Sequence, residues 1–338
     1  MTNDQRPLTN NDQHLTPNHL IMPAKLLPRI SLNHFTHGSP EEKDHFVKEL
    51  GNAFHQWGFV IIREHGIGQK LINRFYQKSR AFFELPKSAK EKYEIKELAG
   101  QRGYTSFGTE HAKGTDVPDL KEFFQIGQEV AVSNPDKDKY PDNIHVSEVS
   151  QFTETGMELY QAFEKAGKTL LQAIALFLEL PEHYFDDQIR EGNSILRSIY
   201  YPPIQTDPKS AVRAEKHEDI NLITLLVGAS AGGLQLLNQQ GEWMPVLPNE
   251  DEIAINVGDM LSRLTNDYLK STTHRVINPP REEWNIPRLS IPFFLHPIAD
   301  MDLTSLPQCL SDGESAKYEP TTAGKFLEER LRQIGLKK

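Results

Sequence analysis

The segment Lys216-His217-Glu218-Asp219-Ile220-Asn221-Leu222 sets an imidazole and a carboxylate two positions apart. In a strand, where side chains alternate, His217 and Asp219 share one face and Glu218 takes the other. That pair suits a divalent metal ion. With 13 histidines in the chain, about one His-x-Asp arises by chance, so a polar surface strand is the plain alternative. A second imidazole stands in the β-prone run Ser271-Thr272-Thr273-His274-Arg275-Val276. A closed β fold could return His274 to the first pair. Two imidazoles and one carboxylate cover one face of an octahedron and leave positions open, a set suited to catalysis at ferrous iron. A structural zinc site would use four protein ligands and favour thiolate, and the single Cys309 lies in no CxxC context.

Two further segments bear groups for an anionic ligand. In Pro287-Arg288-Leu289-Ser290-Ile291-Pro292, alternation aims Arg288 and Ser290 to one side, where a guanidinium and a hydroxyl make a carboxylate clamp. Taken alone, an arginine on a strand is more often solvated. In Arg197-Ser198-Ile199-Tyr200-Tyr201-Pro202 the odd positions share a face, so Tyr201 could donate to the same ligand or be a packed aromatic with an exposed hydroxyl. Arg197 on that parity is a candidate substrate contact or half of a structural salt bridge. Phe294 shares the parity of Arg288 and Ser290 and reads as an apolar wall or ordinary core.

The elements that must position these groups are legible from periodicity. Residues 1–25 are rich in Asn, Asp, Gln, Thr and Pro and read as a disordered or extended tail. A helix should begin at Pro40, with Phe46, Leu50, Ala53, Phe54 and Trp57 at helical spacing, and end at Gly58 before the strand-like Phe59-Val60-Ile61-Ile62. A second helix should run from Gly68 to Phe83. The stretch from Gly100 to Gly114 reads as irregular loop. Met157, Tyr160, Phe163, Ala166, Leu170, Leu171, Ile174 and Phe177 predict a long helix between Phe152 and Leu180, braced against a sheet. Beyond Asn193 the pattern turns to short β-rich runs (residues 195–201, 220–227, 234–237, 253–257 and 289–295), as in a barrel or jelly roll. A last amphipathic helix should span residues 323–334. The expected organisation is therefore a tail (1–25), an amino-terminal region (26–150), a bracing helix (151–190), a β core (191–300) and a carboxy-terminal segment with its helix (301–338).

Composition limits the partners. The chain has 338 residues, 38% of them hydrophobic, and a net charge of −10, so it can bury a core and has no general attraction for nucleic acid or anionic lipid. The most apolar window, residues 170–180, is too short to cross a bilayer. A lone cysteine and a start without basic and apolar runs suggest a cytoplasmic protein, expected to act on a small molecule as a monomer or weak homo-oligomer.

The motifs together, HED then LIT, NVGDML, THRV, RLS and PFF, with Ala53-Phe54-His55-Gln56-Trp57-Gly58-Phe59 leading to His65-Gly66-Ile67, resemble the isopenicillin N synthase-like branch of the Fe(II)/2-oxoglutarate-dependent dioxygenases. The resemblance spans roughly residues 28 to 335. It implies an α+β fold, mainly β, with a double-stranded β-helix (jelly-roll) core, an amino-terminal helical region and a long bracing helix. It further implies that His217, Asp219 and His274 bind Fe(II), and that Arg288 and Ser290, assisted by Tyr201, hold the distal carboxylate of 2-oxoglutarate, with dioxygen as the other cosubstrate. The implied reaction couples oxidative decarboxylation of the oxo acid to oxidation, by default hydroxylation, of a small molecule. Gln101-Arg102-Gly103-Tyr104 resembles the substrate-contacting region of relatives, which makes Arg102 and Tyr104 candidates beside Arg197 and Phe294. One alternative is an oxidase similar to isopenicillin N synthase that does without 2-oxoglutarate. Another is a non-catalytic jelly-roll sensor.

Overall fold

The computed structural model describes residues 26–333 apart from 99, 112–116, 134–136, 138–139, 311–312 and 314. The expected tail, part of the Gly100 to Gly114 stretch and Ile334 lie outside the described residues. Among the described residues thirteen strands carry the fold: β1 (Arg29–Ser31), β2 (Phe59–Arg63), β3 (Gly103–Thr105), β4 (Glu122–Gly127), β5 (Ile195–Tyr201), β6 (Ala214–His217), β7 (Ile223–Val227), β8 (Leu234–Leu237), β9 (Trp243–Pro245), β10 (Ile253–Val257), β11 (His274–Val276), β12 (Arg288–Ser290) and β13 (Pro292–Leu295). The larger sheet runs β1-β2-β10-β7-β13-β5-β4-β3, with β12 also on β5, and the smaller runs β6-β11-β8-β9. Together with helices on one side, this is the jelly-roll architecture.

Alternation divides the larger sheet into two chemically different faces. Val60, Ile62, Phe124, Ile126, Leu196, Ile223, Leu225, Ile253, Ile255, Phe293 and Leu295 join the core shared with the helices. Phe59, Ile61, Phe123, Ile199, Tyr201 and Ala254 look the other way, towards Ala214, Leu234, Leu236 and Val276 of the smaller sheet. The interior between the sheets is where side chains such as Arg288 and Thr224 emerge.

The helical layer is set by local sequence. The helix Pro40–Trp57 starts with a capping box: the Glu42 amide donates to Ser39 Oγ, and the Glu42 carboxylate accepts from the Ser39 amide at 2.7 Å, which satisfies two orphan donors. It stops at Gly58, whose φ of 64° is left-handed and whose missing Cβ leaves room for the Lys270 carbonyl, 2.4 Å from where that Cβ would stand. A side chain there would both strain the turn and collide. The 26-residue helix Phe152–Phe177 lies along the sheet. Phe163 stacks on Phe293 at 5.5 Å, and Gly167 sits where a Cβ would strike Leu295. Each large apolar side chain it buries contributes about 1.5–3 kcal/mol, so a helix without strong end caps is held by packing.

Three sequence expectations differ from the structure. The run 220–227 enters the sheet only at Ile223, because the carbonyls of Asp219 to Leu222, in the irregular link from β6, accept from the amides of Gly258, Asp259 and Met260. Residues 289–295 divide into β12 and β13 around Ile291. The stretch after Gly100, read as irregular, contains β3, which pairs with β4.

Candidate metal and cosubstrate site

His217 closes β6, and His274 opens β11 directly opposite in an antiparallel pair. Asp219 reaches the same point by another route than strand alternation. β6 has already ended, and the irregular link after it carries the carboxylate, which Thr224 and Asn256 hold beside the two rings. One donor atom from each of the three residues lies within 4.8 Å of the others; His274 Nε2 is 3.8 Å from Asp219 Oδ1, and the ring centroids are 4.4 Å apart.

The remaining atoms of the triad are occupied in ways that fix its chemistry. His217 Nδ1 is 2.7 Å from the Glu215 carbonyl and His274 Nδ1 is 3.0 Å from the Thr272 carbonyl. A carbonyl only accepts, so both Nδ1 atoms carry the hydrogen and both Nε2 lone pairs face the common point. Asp219 Oδ2 accepts from Thr224 Oγ1 at 2.6 Å and from Asn256 Nδ2 at 2.8 Å, leaving Oδ1 for a cation. Burial, with the His274 ring close by, lowers the His217 pKa to about 4. Burial alone would push the Asp219 carboxyl up, but the two imidazoles and the Asn256 and Thr224 hydrogen bonds hold it below its ordinary value. A neutral His217 imidazole beside an ionised Asp219 carboxylate suits a divalent metal. This donor set fits ferrous iron.

Deeper between the sheets, β12 pairs with β5 so that Arg288 stands opposite Tyr201 and Ser290 opposite Ile199. Arg288 is 2% exposed and Ser290 3%. The guanidinium is aimed by its own contacts: Nε donates to the Ala231 and Gly232 carbonyls at 3.1 and 3.2 Å, Nη1 donates to Ser290 Oγ at 3.1 Å, and the group lies 4.9 Å from the centre of the Tyr201 ring. Among the described residues no acid forms an ion pair with it.

Arg197 occupies the same face of β5. Its guanidinium lies between the rings of Phe123 and Phe294, 4.2 and 5.3 Å from their centres. Nε donates to Gln125 Oε1 at 2.8 Å and Nη1 pairs with Glu110 at 3.3 Å. Glu110 also pairs with Lys121 at 2.7 Å, and Lys121 with Asp119 at 2.7 Å. Asp119 Oδ1 accepts from the Glu215 amide at 2.9 Å, which ties this cluster to the strand bearing His217. Burial would raise the Glu110 carboxyl, but Lys121 and Arg197 outweigh it and bring the pKa down to about 2. The same acids push Lys121 above its ordinary value against the pull of burial.

The other two substrate candidates are placed apart from the triad. Tyr104 pairs with Phe124 on β4, on the helix-facing side; its ring meets Phe82 and its hydroxyl donates to Glu122. That carboxylate is held from the other side by Lys90 at 2.7 Å. The Tyr104 expectation is therefore corrected: alternation turns the ring into the core. Arg102 is fully buried at the end of β4, against Gly127, with Nη1 donating to the Gln101 carbonyl and Tyr140, Tyr160 and Glu129 around it.

Sequence reasoning missed Thr224, Asn256, Glu110, Lys121 and Arg213. Signals existed for two of them. Thr224 and Asn256 are single polar residues inside otherwise apolar β runs, and a buried polar side chain needs a partner.

Two imidazoles and one carboxylate brought together on a jelly roll, with a buried arginine between the sheets, are the donor set expected of a non-haem Fe(II) oxygenase. Comparison with known proteins agrees. Residues 27–148 match the family described as non-haem dioxygenase in morphine synthesis N-terminal, and residues 192–297 match the 2OG-Fe(II) oxygenase superfamily. A 2-oxoglutarate-Fe(II) type oxidoreductase of Metarhizium majus is 30% identical over 92% of this chain and 95% of its own. A proline hydroxylase of Petromyces alliaceus is 32% identical over 90% and 98%. Among solved structures, a 2OG-Fe(II) oxygenase family protein from Caulobacter crescentus superposes with TM-score 0.83 at 38% identity over 91% of this chain and 99% of that one. A full-length Neurospora crassa protein in complex with alpha-KG gives 0.81 at 30% identity over 90% and 95%. The chain belongs to the 2-oxoglutarate-Fe(II) oxygenase family and is an Fe(II)/2-oxoglutarate-dependent dioxygenase, using dioxygen. The readings as a 2-oxoglutarate-independent oxidase or a sensor give way to these relatives. No helix among the described residues is long and apolar enough to cross a membrane.

Proposed function

We propose that His217, Asp219 and His274 hold the ferrous ion, that Arg288, Ser290 and Tyr201 receive the distal carboxylate of 2-oxoglutarate, and that Arg197 and Phe294 border the substrate. The observation that carries this reading is the hydrogen-bond pattern of the triad. Every polar atom that does not face the common point is tied to a carbonyl, Thr224 or Asn256. Bound iron would supply adjacent open positions where the oxo acid and dioxygen meet, coupling decarboxylation to substrate oxidation, with hydroxylation the default outcome. The chain's own part is positional: paired strands fix the two histidines, Thr224 and Asn256 fix Asp219, and Arg288 orients the oxo acid by charge and a forked geometry.

The substrate class follows from charge balance. Glu110 and Asp119 are matched by Lys121 and Arg197, so the cluster beside His217 has no net formal charge and selects a small polar molecule that is neutral or zwitterionic. Thymine, bound by the Neurospora crassa relative, and proline, in the name of the Petromyces alliaceus relative, both fit that description. The lone thiol of Cys309 suits action in the reducing cytoplasm.

Anaerobic titration tests the site. A weak visible absorption should appear when 2-oxoglutarate is added to Fe(II)-loaded protein, because chelation of the metal by the oxo acid creates it. Changing Arg288→Gln should weaken 2-oxoglutarate at least tenfold and Fe(II) hardly at all, and equal losses for both ligands would contradict the clamp. Incubation with a cell extract, followed by mass spectrometry for the gain of one oxygen atom, then identifies the substrate.

A further inference from the structure

Arg213, just before β6, is 2% exposed, yet its guanidinium is scarcely used by the protein. Nη2 donates to the Ile286 carbonyl at 2.9 Å, and Nε is buried with no partner. The group lies 6.0 Å from the centre of the Tyr201 ring, the ring that Arg288 also covers at 4.9 Å. Two guanidinium groups, one on β12 and one just before β6, thus approach a single tyrosine ring, and among the described residues neither has an acid in an ion pair. Burial, then the Arg288 charge, lowers the Arg213 pKa to about 10, with Glu283 and Tyr201 acting in the opposite sense.

Such a pair is costly in isolation. A buried charge normally finds a counter-ion, and two like charges in a low-dielectric interior repel. An arriving carboxylate relieves both costs at once. We propose that Arg213 is a second guanidinium for the distal carboxylate of 2-oxoglutarate, and that the Arg213–Arg288 pair makes the enzyme select a dicarboxylic oxo acid over one with an uncharged tail. This rests on the assignment of Arg288 to that carboxylate. Arg288 supplies the bond already aligned with Ser290, and Arg213 supplies the opposing charge from just before β6, closing the deep end of the interior.

The test uses the full chain loaded with Mn(II), which permits binding without turnover. Calorimetric titration with 2-oxoglutarate and with 2-oxobutyrate, which lacks the distal carboxylate, gives a preference for each variant. Arg213→Met should weaken 2-oxoglutarate by about tenfold or more, the loss expected for one charge-assisted hydrogen bond, while 2-oxobutyrate affinity stays level or improves and Mn(II) affinity is unchanged. An unchanged preference in Arg213→Met alongside a collapsed preference in Arg288→Gln overturns the role of Arg213 and leaves the clamp standing. Unchanged preference in both variants means the carboxylate binds elsewhere and the clamp assignment itself fails. Should Arg213→Met not fold, Arg213→Lys serves: it keeps the charge and loses the fork, so a several-fold weaker 2-oxoglutarate with the preference retained supports the proposal, and wild-type affinity refutes it.

Discussion

Replacing Asn256 by Ala isolates what the protein contributes to its metal beyond the three donors. Asn256 is 5% exposed and faces the interior from β10, and its amide is one of two donors on Asp219 Oδ2. Its removal leaves the Thr224 hydroxyl as the remaining support, at 2.6 Å. A hydrogen bond to a charged group is worth about 1.5–3 kcal/mol, and tenfold in affinity corresponds to about 1.4 kcal/mol, so Fe(II) affinity should fall by roughly 10- to 100-fold, in line with losses of outer-shell partners elsewhere. Anaerobic competition titration against a chelator reads this directly. At saturating metal, 2-oxoglutarate affinity should stay within about threefold of the wild type, since no contact to Arg288, Ser290 or Tyr201 has changed. Metal affinity equal to the wild type would refute the reasoning. It would mean that Asp219 is oriented by the link after β6 alone and that the hydrogen bonds on Oδ2 are incidental.

Two other outcomes concern residues that are not metal donors. Changing Lys90→Met strands the Glu122 carboxylate, held at 2.7 Å in a nearly dry environment; the loss should be about 3–5 kcal/mol in urea denaturation, with Fe(II) affinity preserved in the fraction that folds. His296 and His217, whose pKa values burial lowers to about 4, should make the metal-free protein acid-sensitive. Between that value and the unfolded value of about 6.5 the unfolded chain binds a proton that the folded one refuses, so stability rises with pH across this window and is lost as pH falls through it. His296→Asn should flatten that slope in urea titrations from pH 7 to pH 5, and an unaltered slope would assign it to other groups.

Much of this was legible in the chain because the fold obeys simple periodicities. The helix from Pro40 was set by Ser39, Pro40, Glu42 and Gly58, and the runs 195–201, 234–237 and 253–257 coincide with β5, β8 and β10. Arg288, Ser290, Tyr201 and Arg197 share a face because they sit on paired strands, as alternation requires. The pairing of His217 with Asp219 was expected for an insufficient reason: β6 ends at His217, and the irregular link after it, not the pleat, brings the carboxylate round. β4 escaped notice because Lys121 and Glu122 look like a solvated start, although both are buried and neutralised, Lys121 by Glu110 and Asp119 and Glu122 by Lys90. Nothing local distinguishes Glu110 or Arg213 from surface residues; their places depend on closure of the two sheets.

The two-faced larger sheet has an evolutionary consequence. Alternate residues of each strand answer to different demands: one set keeps the helices seated, while the set between the sheets carries the polar side chains, Thr224, Asn256, Arg288 and Ser290 among them, and is otherwise free of contact with the helices. Exchanging Phe123, Gln125 or Phe294 therefore puts few helix contacts at risk, so descendants of one scaffold can acquire new chemical tastes by small steps without passing through forms that cannot fold.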